Sequence, residues 1–193
     1  VKPLDPVKEE RIIDAVYVIA GKRGLAGIDI TGISKEAGVG VGTLYTYFKN
    51  KEEIILEAFL KVENKVTQKM FEQLDLSRST RDSLKRIYVN MLNYRLEHYN
   101  ETVFIDQYFQ SNYMQIDLSK QLDTFLEKNK PLYELLIKGQ ENGEIVKADL
   151  LILIGFIIGT NREFSNGIVQ KVYPLTDQTV EDSFNLVWKG LKE

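Results

Sequence analysis

Residues 24–54 run GLAGIDITGISKEAGVGVGTLYTYFKNKEEI, and the punctuation of this stretch decides the fold. Asp29 is a favourable N-cap, so a short helix is expected from there to Ala37. Gly38 interrupts it. Glycine takes the positive φ of a sharp turn at no steric cost, and the small Ala37 beside it lets two helices approach closely. A second short helix is expected over Val41–Phe48. Asn50 then caps a longer helix, with Glu53 three positions on as in a capping box and Glu52 suited to the positive helix start. Two short helices joined by a tight glycine turn describe a helix-turn-helix.

Upstream, Val7–Lys22 places Ile12, Val16, Ile19 and Ala20 on one helical stripe and stops at Gly24. Ile33, Val39, Leu44 and Phe48 are spaced to fill a small core with that stripe. The second short helix then turns Val41, Gly42, Thr43, Tyr45, Thr46 and Tyr47 outward. This mixture suits a nucleic-acid partner. Hydroxyls and the ammonium of Lys51 bind phosphate oxygens, and apolar groups meet the thymine methyl in the major groove. A plainer reading makes Tyr45 a core aromatic and Lys51 a solvated charge. Gly38, Gly40 and Gly42 do not form a dinucleotide-binding fingerprint, which needs a preceding strand and another spacing.

Downstream, helical periodicity continues. Ile55, Phe59, Val62, Val66 and Met70 carry the buried face of the helix that begins at Asn50. Helices follow at about 81–99, 101–113 and 119–141, with a kink or break expected at Pro131. The next, about 148–172, is apolar nearly all round in its first half, the pattern of a fully buried helix. The last starts near Thr176 and puts Val180, Phe184, Val187, Trp188 and Leu191 on one face. The expected architecture is all-α, with about nine helices: a helix-turn-helix domain over residues 1–51 and a larger helical bundle over 52–193.

Composition narrows the chemistry. The chain has 193 residues, no Cys and one His, His98. Disulfides, thiolate metal sites, thiol nucleophiles and multi-histidine metal sites are therefore excluded. No metal or cofactor is expected, and no motif for acyl, phosphoryl or hydride transfer is present, so the chain is not expected to be an enzyme. The longest apolar run, Leu150–Gly159, is about half of the roughly 20 residues needed to span a bilayer. No signal peptide opens the chain, and a cytoplasmic location is the expectation. Net charge is −3, yet residues 1–51 carry eight Lys/Arg against six Asp/Glu, a net of +2, and residues 52–193 carry 17 against 22, a net of −5.

The AGV turn, the following GTLYTYF and the KNKEE that leads into a long helix closely resemble the signature of tetracycline-repressor (TetR) family transcription regulators. The resemblance covers about residues 7–60. It implies DNA contacts at Thr31, Val41, Gly42, Thr43, Thr46 and Tyr47, with Tyr45 and Lys51 in phosphate-gripping positions. Asp29 stands where the family usually has Thr, and both cap a helix. Gly40 stands where Ser is common, which loses a hydroxyl cap. Val41 and Gly42 offer no hydrogen bond to a base edge, so affinity is expected to rest mainly on phosphates.

The resemblance also implies that residues 52–193 bind a ligand and dimerise. Met91, Tyr94, Phe104, Tyr108, Met114 and Phe125 are candidates to line a cavity for a small, mostly apolar effector; the plain alternative for each is a bundle core. Arg162 either turns inward to an anionic group or is exposed or structurally paired. His98 either senses pH or ligand or stabilises a helix end. The family's dimer contact falls on the last two helices. Ile154, Gly155, Ile158, Gly159, Phe184 and Trp188 are the candidates there, the two glycines permitting close helix approach. A homodimer would present two recognition helices to a palindromic double-stranded operator about 34–36 Å apart or a multiple of that. The expected function is a ligand-responsive regulator, as a rule in this family a repressor, released from DNA by its effector. The alternatives are a DNA-binding architectural or complex-forming protein without a ligand, and a helical enzyme.

Overall fold

The computed structural model describes residues 5–113, 124 and 126–193, and among these it has helices and no strands, with one isolated antiparallel bridge between Ile145 and Lys192. The expected candidates Met114 and Phe125 lie outside the described residues. The helices are α1 (Pro6–Arg23), α2 (Ile30–Ala37), α3 (Val41–Tyr47), α4 (Lys51–Met70), α5 (Thr80–Glu97), α6 (Tyr99–Phe109), α7 (Lys130–Glu141), α8 (Leu150–Val169) and α9 (Asp177–Leu191), with a 3-10 turn at Leu25–Gly27. They pack into two compact units. The first takes Val1–Lys65 and His98–Leu118; the second takes Val66–Glu97 and Ser119–Glu193.

The helix ends follow the capping chemistry of the sequence. Asp5 and Asp29 accept from the backbone N–H groups of Val7 and Gly32. Asn50 Oδ1 accepts from Glu53 N–H at 2.8 Å, and the Glu53 carboxylate reaches back to Lys49 N–H. Thr176 and Thr179 form a reciprocal capping box at the start of α9. The end of α4 is closed from another helix: Asn90 donates to the carbonyls of Met70 and Glu72. At Pro131 the outcome is a break. Residues 126–128 are helical, Asn129 turns, and α7 starts anew with the proline in its first turn, where its missing N–H costs nothing.

The first unit holds a core of Ile12, Val16, Ile19, Ile33, Leu44, Ile55 and Val62, all fully buried. Aromatic rings extend it onto α6. Phe59 stacks on Tyr108 at 4.0 Å between centroids, and Tyr17 meets Phe104 edge-on at 5.3 Å. The buried Tyr17 hydroxyl donates to the Ala58 carbonyl at 2.7 Å and ties α1 to α4; burial and nearby carboxylates push its ionisation far up. At the rim, Lys61 pairs with Glu9 at 2.5 Å and Lys65 with Glu101 at 3.0 Å.

The second unit closes Leu84, Ile87, Tyr88, Leu132, Leu136, Leu153, Ile157, Phe184 and Leu191 into one core. Helix α8 departs from the expectation of complete burial. Leu153, Ile154 and Ile157 face the core, while Leu151, Ile152 and Phe156 stand exposed, Ile152 at 67%. Among the described residues, α8 has partners on one side, and its apolar circumference is uncovered on the other.

Replacing Tyr17 by Phe keeps the ring packing and removes its hydrogen bond, while the Ala58 carbonyl keeps its place within a helix. The expected loss is about 1 kcal/mol in a urea unfolding titration; an unchanged midpoint would show that the bond contributes nothing.

Candidate nucleic-acid interface

The turn between α2 and α3 is fixed from three sides. Gly38 adopts φ 63° and ψ 39°, the left-handed conformation that caps α2. Ser34 Oγ, on α2, donates to the Val39 carbonyl at 2.6 Å. Arg11, on α1, extends a guanidinium to the carbonyls of Ala37 and Gly38, a charged donor on the negative end of α2. An added Cβ at Gly38 would stand 2.6 Å from Arg11 Nη2. Arg11 escaped sequence reasoning because its partner is a backbone carbonyl 26 positions away, which no side-chain pattern announces.

Below the turn, Leu44 and Phe48 are buried in the core of the first unit. Because α3 has seven residues, fixing that side determines the other. Val41, Gly42, Tyr45 and Thr46 are exposed, Tyr45 at 55%, and Thr43 is half-buried beside them. Space around Gly42 is open for 4 Å beyond where a Cβ would sit. Thr31 is exposed on the first turn of α2, and Lys51 opens α4, half-exposed. Among the described residues, Lys51 has no carboxylate partner. The N-cap of α3, Gly40, makes no side-chain hydrogen bond, as its lack of a hydroxyl requires.

Tyr47 has an additional job. Its hydroxyl accepts from Asp5 N–H at 3.0 Å and donates to the Asp5 carbonyl at 3.3 Å. It therefore ties the last turn of α3 to the start of α1, and its hydroxyl is partly spent before any partner arrives. Thr46 Oγ1 donates to the Gly42 carbonyl at 3.1 Å and keeps a lone pair outward. The surface presents hydroxyls, an aromatic edge, a valine and an ammonium, with buried apolar groups behind them.

The other candidates fall into separate places. Phe104 and Tyr108 are in the aromatic core of the first unit; Met91 and Tyr94 are buried in the second. Arg162 is half-exposed and its Nε donates to Glu163 at 3.1 Å. His98 is exposed as the residue preceding α6. Of the dimer candidates, Ile154 and Phe184 are buried in the core of the second unit. Ile158 and Trp188 are half-buried. Gly155 and Gly159 have open space where a Cβ would stand.

Residues 12–58 match the family model for bacterial regulatory proteins of the tetR family. The chain is 26% identical over 156 residues to the fatty acid metabolism regulator protein of Bacillus subtilis, covering 79% of each. Its fold is similar to that of a TetR family transcription regulator from Marinobacter aquaeolei, with a TM-score of 0.89 at 20% identity over 98% of this chain and 97% of that one. It is also similar to the transcriptional regulator FadR from Bacillus subtilis in complex with stearoyl-CoA, with a TM-score of 0.73 at 24% identity over 94% and 98%.

Gly38→Ala is expected to cost about 1–2 kcal/mol for forcing a Cβ into the left-handed region. Arg11→Met, which keeps the stem and removes the donor, should also lower stability. Both are read by denaturant unfolding. Wild-type stability in both variants would show that the turn is not held in this way.

Proposed function

Because the chain is a TetR-family transcription regulator, we propose that it represses transcription as a homodimer on a palindromic operator and leaves the DNA when a long-chain acyl effector binds. The observation that carries the DNA half of this reading is α3, which spends Leu44 on the core and leaves Val41, Thr43, Tyr45 and Thr46 for a partner. In this reading Thr31, Val41, Gly42, Thr43, Thr46 and Tyr47 meet the groove, while Tyr45 and Lys51 hold phosphates. Tyr47 does so through its ring and its remaining lone pair. Phosphate contacts set register and most of the affinity, and few side chains here can read a base edge.

The dimer rests on the uncovered apolar side of α8 and α9. Leu151, Ile152, Phe156 and Leu186 are exposed, and a cleft of about 590 Å³ runs between Phe156, Phe164, Tyr173 and Leu186. A contiguous apolar surface of this kind marks an interaction site. A two-fold partner would cover it with the same surface, and the bare Gly155 and Gly159 would let the α8 backbones approach.

The effector class comes from the relatives. One is named for fatty acid metabolism, and another holds stearoyl-CoA. Within this chain, two buried polar atoms of the second unit, Asn161 Oδ1 and Tyr133 Oη, have no hydrogen-bond partner among the described residues. Buried polar groups are rarely left so, and the head of a mostly apolar ligand would satisfy them. Helix α4 supplies Lys51 to the first unit and Met70 to the second, so it can carry the coupling. An effector that favours the DNA-free state must weaken DNA binding by the factor by which DNA weakens effector binding. The second reading, a DNA-binding protein without an effector, draws on Phe104 and Tyr108, two of the expected cavity residues, which are packed into the aromatic core of the first unit instead.

An operator selected from random DNA allows a direct test. Stearoyl-CoA should weaken binding by about fivefold or more, and Leu186→Glu should yield a monomer that has lost most of its affinity for the palindrome. Unchanged affinity with stearoyl-CoA and with short and medium acyl-CoA would favour the effector-free reading. A Leu186→Glu protein that remains dimeric would remove α9 from the interface.

A further inference from the structure

We propose that the first unit contains a second small-molecule site, centred on Lys51, for a phosphate-bearing polar metabolite. A cavity of about 460 Å³ is lined by Lys51, Gln107, Gln110, Ser111, Asn112 and Tyr113, and the 3-10 turn contributes Leu25 and Ala26 to its wall. Its size falls among small-molecule pockets, which run to roughly 300–1,000 Å³. Its chemistry does not match the usual apolar kind. Among the described residues, the lining brings together one ammonium, three carboxamides and two hydroxyls, without a carboxylate.

The positions of these groups are built rather than incidental. Gln107 Oε1 accepts the Leu25 N–H at 2.6 Å, which fixes the amide and leaves its Nε2 donors unspent. Ser111 Oγ donates to the Tyr108 carbonyl at 2.7 Å and accepts from Tyr113 N–H at 3.2 Å, which folds the end of α6 into a corner. The Tyr113 ring lies nearly parallel to Tyr108, 6.2 Å away, and stands as a flat wall. Among the described residues, Lys51 supplies the only formal charge of the lining, and no carboxylate pairs with it. A compact ammonium among amide donors suits a phosphate, with amides left for a hydroxylated body. This lining lies in the first unit, whereas the unpartnered polar atoms assigned to the effector lie in the second, so this site is separate from the effector site proposed above.

One ammonium cannot neutralise a bound metabolite and a DNA phosphate together. Occupancy therefore opposes DNA binding. This consequence rests on the assignment of Lys51 to an operator phosphate; the cavity does not.

The test titrates the 193-residue chain, without DNA, with inorganic phosphate at constant ionic strength. The Leu25 backbone amide and the Gln107 side-chain amide are followed by nitrogen-15 NMR. Saturable shifts of both are expected. Lys51→Met should weaken binding by about tenfold or more, Gln110→Leu should weaken it without removing a charge, and Lys189→Met, on the exposed side of α9, should leave it unchanged. Shifts that never saturate, or equal affinity in wild type and Lys51→Met, would overturn the proposal. Failure of the operator assignment is distinguishable: Lys51→Ala would then leave DNA affinity unchanged while the phosphate titration still saturated.

Discussion

The guanidinium of Arg11 reaches across from α1 to the last carbonyls of α2, at the point where Gly38 turns the chain through the left-handed region. The orientation of α3 depends on this junction. A helix of seven residues has too few internal hydrogen bonds to persist alone, so its direction comes from what holds its ends and its buried side. Arg11 and Ser34 hold the entry, the Tyr47 hydroxyl holds the exit to Asp5, and Leu44 and Phe48 anchor the underside. With those fixed, the outward set of Val41, Gly42, Thr43, Tyr45 and Thr46 follows from helical geometry.

Apolar residues tell a different story in α8. Its first ten residues are apolar, yet they divide between a core face and a face open to solvent. On that open face, Phe156 shares an apolar cleft with Leu186 of α9. In the reading proposed above, this surface would pair two chains, and that pairing would set the spacing of the two recognition helices.

The helix-turn-helix was legible because each of its parts is local. Asp29, Gly38 and Asn50 act within a few residues, and so their chemistry is printed next to the helices they bound. What stayed hidden depends on distance in sequence. Arg11 meets carbonyls of Ala37 and Gly38, Asn90 closes α4 at Met70, and Tyr47 spends its hydroxyl on Asp5, a backbone partner 42 positions away. The aromatic residues were legible as buried but not as to which core they enter: Phe104 and Tyr108 join Tyr17 and Phe59, whereas Met91 packs with Leu84 and Phe184. Apolar periodicity reports that a face is covered and carries no label for the covering partner, which is also why α8 looked wholly buried. A division at residue 51 reflects the reach of a sequence motif; packing instead keeps α4 with the first unit as far as Lys65 and adds α6.

The central claim is that α3 and the start of α4 form the DNA surface, with affinity carried largely by phosphates. It is tested most directly by operator affinity over a range of salt concentrations for wild type, Tyr45→Ala and Lys51→Ala. Both variants should bind more weakly, and Lys51→Ala should reduce the slope of log affinity against log salt by about one, the release of one counterion. Affinity and slope unchanged from wild type in both variants would contradict it.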